Sequence, residues 1–263
     1  MSAVSYTHDN GIATIVLNNP PQNRLSDALV KGLTEAIADL AGRNDTRVVL
    51  FRAEGPDFSF GGDFPAWEGV AAEDFSKMIE QGLQLMDLFE ALPVPIIMAV
   101  QGNCSGGGFE IALRGDIIIA SDDARFSHSE ASMGVFTFLG GVQRVAERVG
   151  RTRAIQWAMT CEKVGAQYAQ DCGLINEVVP LADLNDAALK WAEKLGTGAT
   201  RAHGAHKALL RAWASGGIEA ADAIIPAMAG EILHSADLQT NLKTFIDAYR
   251  AGRERPKLEF QGK

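Results

Sequence analysis

The chain has 263 residues, 47% hydrophobic and 22% charged, which is ordinary globular composition and length enough for one large domain or a domain with an appendage. A formal net charge of −9 argues against nucleic acid or an anionic membrane as main partner, because both reward clustered Lys and Arg; an anionic ligand would need a local positive patch. Cys104, Cys161 and Cys172 show no CxxC or His-paired spacing, so neither a disulfide framework nor a metal site is expected. The longest apolar run, Ile96 to Val100, is too short to span a bilayer, and MSAVSYTHDNG lacks the basic-then-apolar order of an export signal, so a cytoplasmic protein is expected.

In chain order, GIATIVLNN is rich in β-branched residues and closes at Pro20-Pro21, which predicts a strand. A helix follows, with Ser26 as its cap and Leu29, Val30, Leu33, Ile37 and Leu40 at helical spacing until Gly42. RVVLFRAEG reads as the next strand, FSKMIEQGLQLMDLFEALP as a helix ended before Pro93, and PIIMAVQG as a short buried strand. After the loop GNCSGGG, EIALRG is helical, DIIIAS is a strand, and ARFSHSEASMG is a short strand running into a loop. From about Arg151 the pattern is mostly helical, with turns near CGLINEVVPLAD and at Gly216-Gly217. The alternation predicts an α/β core over residues 1–195 and a helical appendage over 196–263, whose apolar residues, among them Ile225, Leu233 and Phe245, favour self-association.

Three stretches can carry chemistry. FSFGGDF follows a strand, and its adjacent glycines leave backbone N–H groups open to a ligand; a plain turn has the same composition. GNCSGGGFE sets Gly106, Gly107 and Gly108 at the start of a helix, where free N–H groups and the helix dipole favour negative charge. A dinucleotide-binding loop competes for this stretch, although Ile111 stands where its third glycine belongs, and close helix-to-strand packing is a further reading. HSEASMG places Glu130 just past a strand, where a lone glutamate is ordinarily a solvated residue. The combination is more specific, because Glu110 and Glu130 each lie near bare N–H donors and could flank one reacting centre as acid and base. His128 is expected to be a hydrogen-bonded structural residue, His203 and His206 a solvated helix face, and Cys104 and Ser105 lack a nucleophile elbow.

Taken jointly and in order, FSFGGDF, AVQGNCSGGGFEIALRGDIIIASDDARFSHSEASMG and LGGVQRV resemble the enoyl-CoA hydratase/isomerase family, the crotonases, and the similarity runs from NNPPQNRLS to the tail RPKLEFQGK. The resemblance implies a spiral of ββα units with a C-terminal helical trimerisation region, assembled as a homotrimer or a dimer of trimers. It implies an acyl-CoA thioester as substrate, with coenzyme A part of that substrate and no separate cofactor. Carried over position by position, it makes Gly62 and Gly107 the oxyanion-hole donors and Glu110 and Glu130 the catalytic acids. Arg24, Leu25 and Phe60 match positions that contact coenzyme A, and Asp63, Phe64 and Phe138 are grouped with them as substrate-binding residues. TFLGG departs from the family's Pro-Gly-small-Gly-Gly pattern and is expected to set the Phe138 ring beside Glu130, where it either narrows the acyl pocket or blocks the attacking water. Enoyl-CoA hydration is the expected reaction. Double-bond isomerisation and thioester hydrolysis are the alternatives of the same fold, and a non-catalytic acyl-CoA or protein-binding module is the alternative of another class.

Overall fold

The computed structural model describes residues 2–254 and 256–263. The chain starts with a hairpin: β1 (Val4–Asp9) pairs antiparallel with β2 (Ile12–Leu17) across Asn10-Gly11, both at the positive φ that a two-residue hairpin turn needs. Helix α1 (Asp27–Gly42) then returns the chain to β3 (Val48–Ala53), which lies parallel to β2. Helix α2 (Ala72–Glu90) leads to β4 (Ile96–Val100), whose five residues are all buried. A strand covered on both faces can be a continuous apolar run, and IIMAV is one.

Beyond β4 the chain divides its strands between two sheets. β5 (Asn103–Ser105) enters a small sheet with β7 (Arg125–Ser127) and β8 (Val164–Gly165), in the order β5-β7-β8. β6 (Ile117–Ser121) and β9 (Glu177–Val179) complete the large sheet, in the order β1-β2-β3-β4-β6-β9. Between them run α3 (Gly107–Ala112), α4 (Gly141–Val149), α5 (Arg151–Thr160) and α6 (Ala166–Asp171). Helix α7 (Leu184–Gly196) covers one face of the large sheet, packing Leu184, Ala188 and Ala192 on Val48, Leu50, Ile97, Ala99 and Ile119. The opposite face builds the main core with α1, α2 and α3, centred on Phe51, Phe58 and Phe89. Removing one such buried ring costs about 3–5 kcal/mol. The result is an α/β spiral closed by long C-terminal helices, the architecture that the resemblance implies.

Those helices are α8 (Thr200–Leu233), broken by non-helical backbone at Gly216 and Gly217, and α9 (Ala236–Arg250). Lys207 ties α8 to the core through Asp116 Oδ2 at 2.7 Å and the Val94 carbonyl at 2.8 Å. The tail folds back on α9, where the Asp237 carboxylate accepts the N–H groups of Gln261 and Gly262 at 2.7 Å each. No helix among the described residues is long and apolar enough to cross a membrane.

Several local expectations are corrected. β1 lies outside the expected strands, because VSYTHD carries only two apolar residues, Val4 and Tyr6. β5 lies in a stretch that reads as loop, β8 and β9 in one that reads as helix and turn, and α4 precedes the expected helical onset. These strands are two or three residues long and exist through their neighbours' hydrogen bonds, which leave no periodic trace. Ser26 occupies the N-cap of α1 without a side-chain cap bond, and Val30 faces solvent.

Candidate active site

Two glycine-rich segments are held against one another by backbone pairing. Ser59 N–H donates to the Asn103 carbonyl at 3.1 Å and Ser105 N–H to the Ser59 carbonyl at 2.9 Å, laying FSFGGDF alongside β5. Gly61 has φ +79, and a Cβ there would stand 2.5 Å from the Gly107 nitrogen. A Cβ on Gly107 would stand 3.9 Å from the Gly62 nitrogen and 2.7 Å from Leu25 Cδ1. At Gly61 glycine is therefore required by proximity, because backbone occupies the space a side chain needs, whereas at Gly107 the close neighbour is the end of the Leu25 side chain. Gly106, at φ 55 and ψ −133, turns the chain so that Gly107 opens α3 with its N–H outside the helical ladder. Neither the Gly62 nor the Gly107 N–H donates to an acceptor among the described residues.

Both carboxyls converge on this corner. Glu110, in the first turn of α3, is only 2% exposed, and its Oε1 accepts the N–H groups of Leu139 and Gly141, each at 2.8 Å. Burial, reinforced by the charge of Glu130, pushes its pKa up to about 7 against the pull of those two donors and Arg114. Glu130 opens a short 3-10 turn, Glu130–Met133, after β7. Burial raises its pKa as well, and neither carboxyl oxygen has a hydrogen-bond partner among the described residues. A Cβ on Gly106 would stand 3.9 Å from Glu130 Oε1, so the second acid borders the triple-glycine turn.

His128 departs from expectation. It is 1% exposed and packs at a tilt against Phe109 with centroids 4.9 Å apart, yet neither ring nitrogen finds a partner among the described residues. Its Nδ1 lies 3.9 Å from Glu130 Oε2, and burial lowers its pKa to about 4, so the imidazole is neutral beside two acids. The hydrogen-bonded structural role read from the sequence is thus corrected.

The remaining predicted residues gather along FSFGGDF. Arg24 donates to the Gly62 carbonyl at 2.9 Å and places its guanidinium 5.7 Å from the Phe60 ring centre and 5.5 Å from that of Phe64. Leu25 N–H donates to the Gly61 carbonyl at 2.9 Å. Asp63 is half-buried and precedes a short 3-10 turn, Phe64–Trp67. Phe138 packs edge-on against Phe75 (5.4 Å), Trp67 (6.1 Å) and Phe136 (4.9 Å), and Phe64 extends this aromatic wall through Trp67 at 5.0 Å. Trp67, Phe75 and Phe136 escaped the sequence reading, as did fully buried Asn23, whose amide donates to the Glu54 and Asp57 carbonyls and so anchors the turn carrying Arg24. Asn23 sits at φ 44, and an Asn in a Pro-rich turn is the only signal that could have found it. All three cysteines are free, and no group of three or more His, Cys, Asp and Glu side chains among the described residues is placed to hold a metal.

Two glycine segments that carry unpaired N–H groups, flanked by buried Glu110 and half-buried Glu130, form an arrangement able to hold a negatively charged oxygen and exchange protons beside it. The backbone is similar to that of an enoyl-CoA hydratase from Mycobacterium smegmatis, with a TM-score of 0.87, 27% identity, and coverage of 97% of this chain and 98% of that one. The model of the enoyl-CoA hydratase/isomerase family matches residues 7–254, and the chain belongs to that family. Among relatives, a probable enoyl-CoA hydratase of Bacillus subtilis is 32% identical over 200 residues, 74% of this chain and 78% of the relative. A (7aS)-7a-methyl-1,5-dioxo-2,3,5,6,7,7a-hexahydro-1H-indene-carboxyl-CoA hydrolase of Rhodococcus jostii is 35% identical over 205 residues, 76% of this chain and 77% of the relative.

Proposed function

We propose that the protein is an enoyl-CoA hydratase. The observation that carries this reading is the pairing of buried Glu110 and half-buried Glu130, whose carboxyl oxygens are both shielded, with two unoccupied backbone donors in one corner of the fold. Attack of water on Cβ of a 2-enoyl thioester moves an electron pair through the conjugated system to the thioester oxygen. The Gly62 and Gly107 N–H groups stabilise that oxyanion; losing one such donor typically costs roughly 2.7–4 kcal/mol. One carboxylate takes a proton from the water as its oxygen bonds to Cβ, and the other, protonated, delivers a proton to Cα, so the acids exchange roles and water is added across the double bond. A carboxyl raised to about 7 can hold its proton near neutrality, as this cycle needs.

In this reading Arg24, stacked between Phe60 and Phe64, supplies local positive charge for coenzyme A on an acidic protein, and Leu25 and Asp63 border the thioester end. Coenzyme A arrives with the substrate and no further cofactor takes part. The enzyme works in the cytoplasm as a homotrimer or a dimer of trimers. Glu110→Gln and Glu130→Gln should each lower crotonyl-CoA hydration by about a hundredfold or more with circular dichroism unchanged; turnover like that of the parent in either variant overturns the assignment.

A second reading, thioester hydrolysis or double-bond isomerisation, draws on the Rhodococcus hydrolase relative and on the ring of Phe138, which can exclude water from one acid. Product analysis in deuterated water separates the three: a hydroxyacyl thioester, free coenzyme A thiol, or a shifted alkene. Acyl-CoA binding by calorimetry with no product identifies a binding module.

A further inference from the structure

The segment Leu139-Gly140-Gly141 has two polar sides. Its N–H groups at Leu139 and Gly141 hold Glu110. Its carbonyls face two guanidinium groups: Leu139 O accepts from Arg114 Nη2 at 2.6 Å, and Gly140 O from Arg144 Nη1 at 3.0 Å. The Gly140 carbonyl and Gly141 N–H belong to one peptide group, so a cation drawing on that oxygen strengthens the N–H that holds the acid. Gly140 is left-handed at φ 83, and two adjacent glycines leave the segment little stiffness of its own.

The guanidinium groups are fixed in turn by α2. Arg114 Nη1 lies 2.7 Å from Asp87 Oδ1 and 2.8 Å from Glu90 Oε2, while Arg144 Nε donates to Glu90 Oε1 at 3.0 Å. The Arg114 side chain is entirely buried. A buried guanidinium is costly unless its charge and donors are matched, so its placement beside the site calls for a reason. We propose that Arg114 is a positioning residue for Glu110: its bond to the Leu139 carbonyl fixes the segment whose Leu139 and Gly141 N–H groups hold the carboxyl at the reacting centre, and its charge acts on that carboxyl.

This inference rests on the reading of Glu110 as an acid–base group of acyl-CoA chemistry. The groups facing Glu110 are Glu130 and His128 from the segment at the end of β7 and Arg114 from the turn after α3, with Arg144 on α4 and Asp87 and Glu90 on α2 behind the Leu139–Gly141 segment. Burial and Glu130 drive Glu110 towards its protonated form, and Arg114 is the side chain that opposes them.

Arg114→Gln removes the charge, keeps a donor for the Leu139 carbonyl and leaves Glu90 paired with Arg144. The carboxyl titration of Glu110, followed by NMR of 13C-labelled glutamate and identified by its loss in Glu110→Gln, should move up by about one pH unit. The limb of the kcat–pH profile that Glu110 governs should move with it, and kcat near neutrality should fall by about tenfold while KM for crotonyl-CoA stays within about twofold. Arg114→Lys restores the charge without the planar fork; it should return the titration to that of the parent while kcat stays depressed. An unmoved titration in Arg114→Gln overturns the proposal. If that variant does not accumulate, Arg114→Lys decides, and parental kcat in it overturns the proposal equally. If the titration moves but the parent protein turns over no enoyl-CoA, the hydratase reading fails and the positioning role stands.

Discussion

Glu110 and His128 are buried neighbours that burial pushes in opposite directions. The Glu110 pKa rises from 4.5 to about 7, so the folded state holds this proton more tightly than the unfolded chain. Its contribution to stability is full below 4.5 and declines by the order of 3 kcal/mol as pH rises through about 7. The His128 pKa falls from 6.5 to about 4, so its contribution is present above 6.5 and is lost as pH falls through about 4. The two slopes oppose one another where their windows overlap, between 4.5 and 6.5. Urea unfolding across that window should therefore show Glu110→Gln gaining stability with rising pH and His128→Gln losing it, with the parent protein flatter than either. Equal slopes in all three proteins would refute the burial argument. Both acids were legible as residue types near glycines, but not the burial of Glu110, which is a property of the Leu139–Gly141 segment closing on it.

At the scale of elements, the site is a joint between the FSFGGDF segment, β5 and the start of α3. Gly61→Ala would put a methyl 2.5 Å from the Gly107 nitrogen at a φ of +79, forcing the donor segments apart. It should lower kcat for crotonyl-CoA by about a hundredfold, as loss of an oxyanion donor does, and cost about 1–3 kcal/mol of stability from backbone strain; unchanged kcat would show that the two segments do not act together. The aromatic wall spans three elements, with Phe64 and Trp67 on the 3-10 turn that ends FSFGGDF, Phe75 on α2, and Phe136 and Phe138 before α4. Phe138→Ala opens it from the inside and should raise kcat/KM for longer enoyl chains relative to crotonyl-CoA, read by competing the two substrates. An unchanged ratio would place the acyl chain elsewhere. Periodicity exposed α1, α2 and the buried strands because their apolar residues repeat, whereas β5, β8 and β9 depend on partners distant in sequence.

At the scale of the whole molecule, α8 and α9 present Leu210, Trp213, Ile218, Ile225 and Tyr249 to solvent in a single chain. Apolar surface of this kind is favourable only when covered. Sedimentation should give a mass that is a multiple of three chains of 28.1 kDa, and Trp213→Glu with Ile218→Glu should yield smaller species while circular dichroism is retained. A monomeric parent protein would remove the proposed assembly. The C-terminal apolar pattern and the break at Gly216-Gly217 were both readable in sequence, and that break divides α8 into two rods.

The sequence by itself determined the alternation of strands and helices, the glycine pairs, both acids and, through their joint order, the family. These are local or collinear signals: side-chain periodicity, turn chemistry and spacing along one chain. Only the tertiary structure decided that Gly62 and Gly107 meet, that Glu110 is gripped by a loop 29 and 31 residues away, and that Arg114 stands behind that loop anchored to α2. Proton affinity and donor geometry arise from what surrounds a group in space, and those neighbours are assembled by the fold from segments that carry no mark of one another.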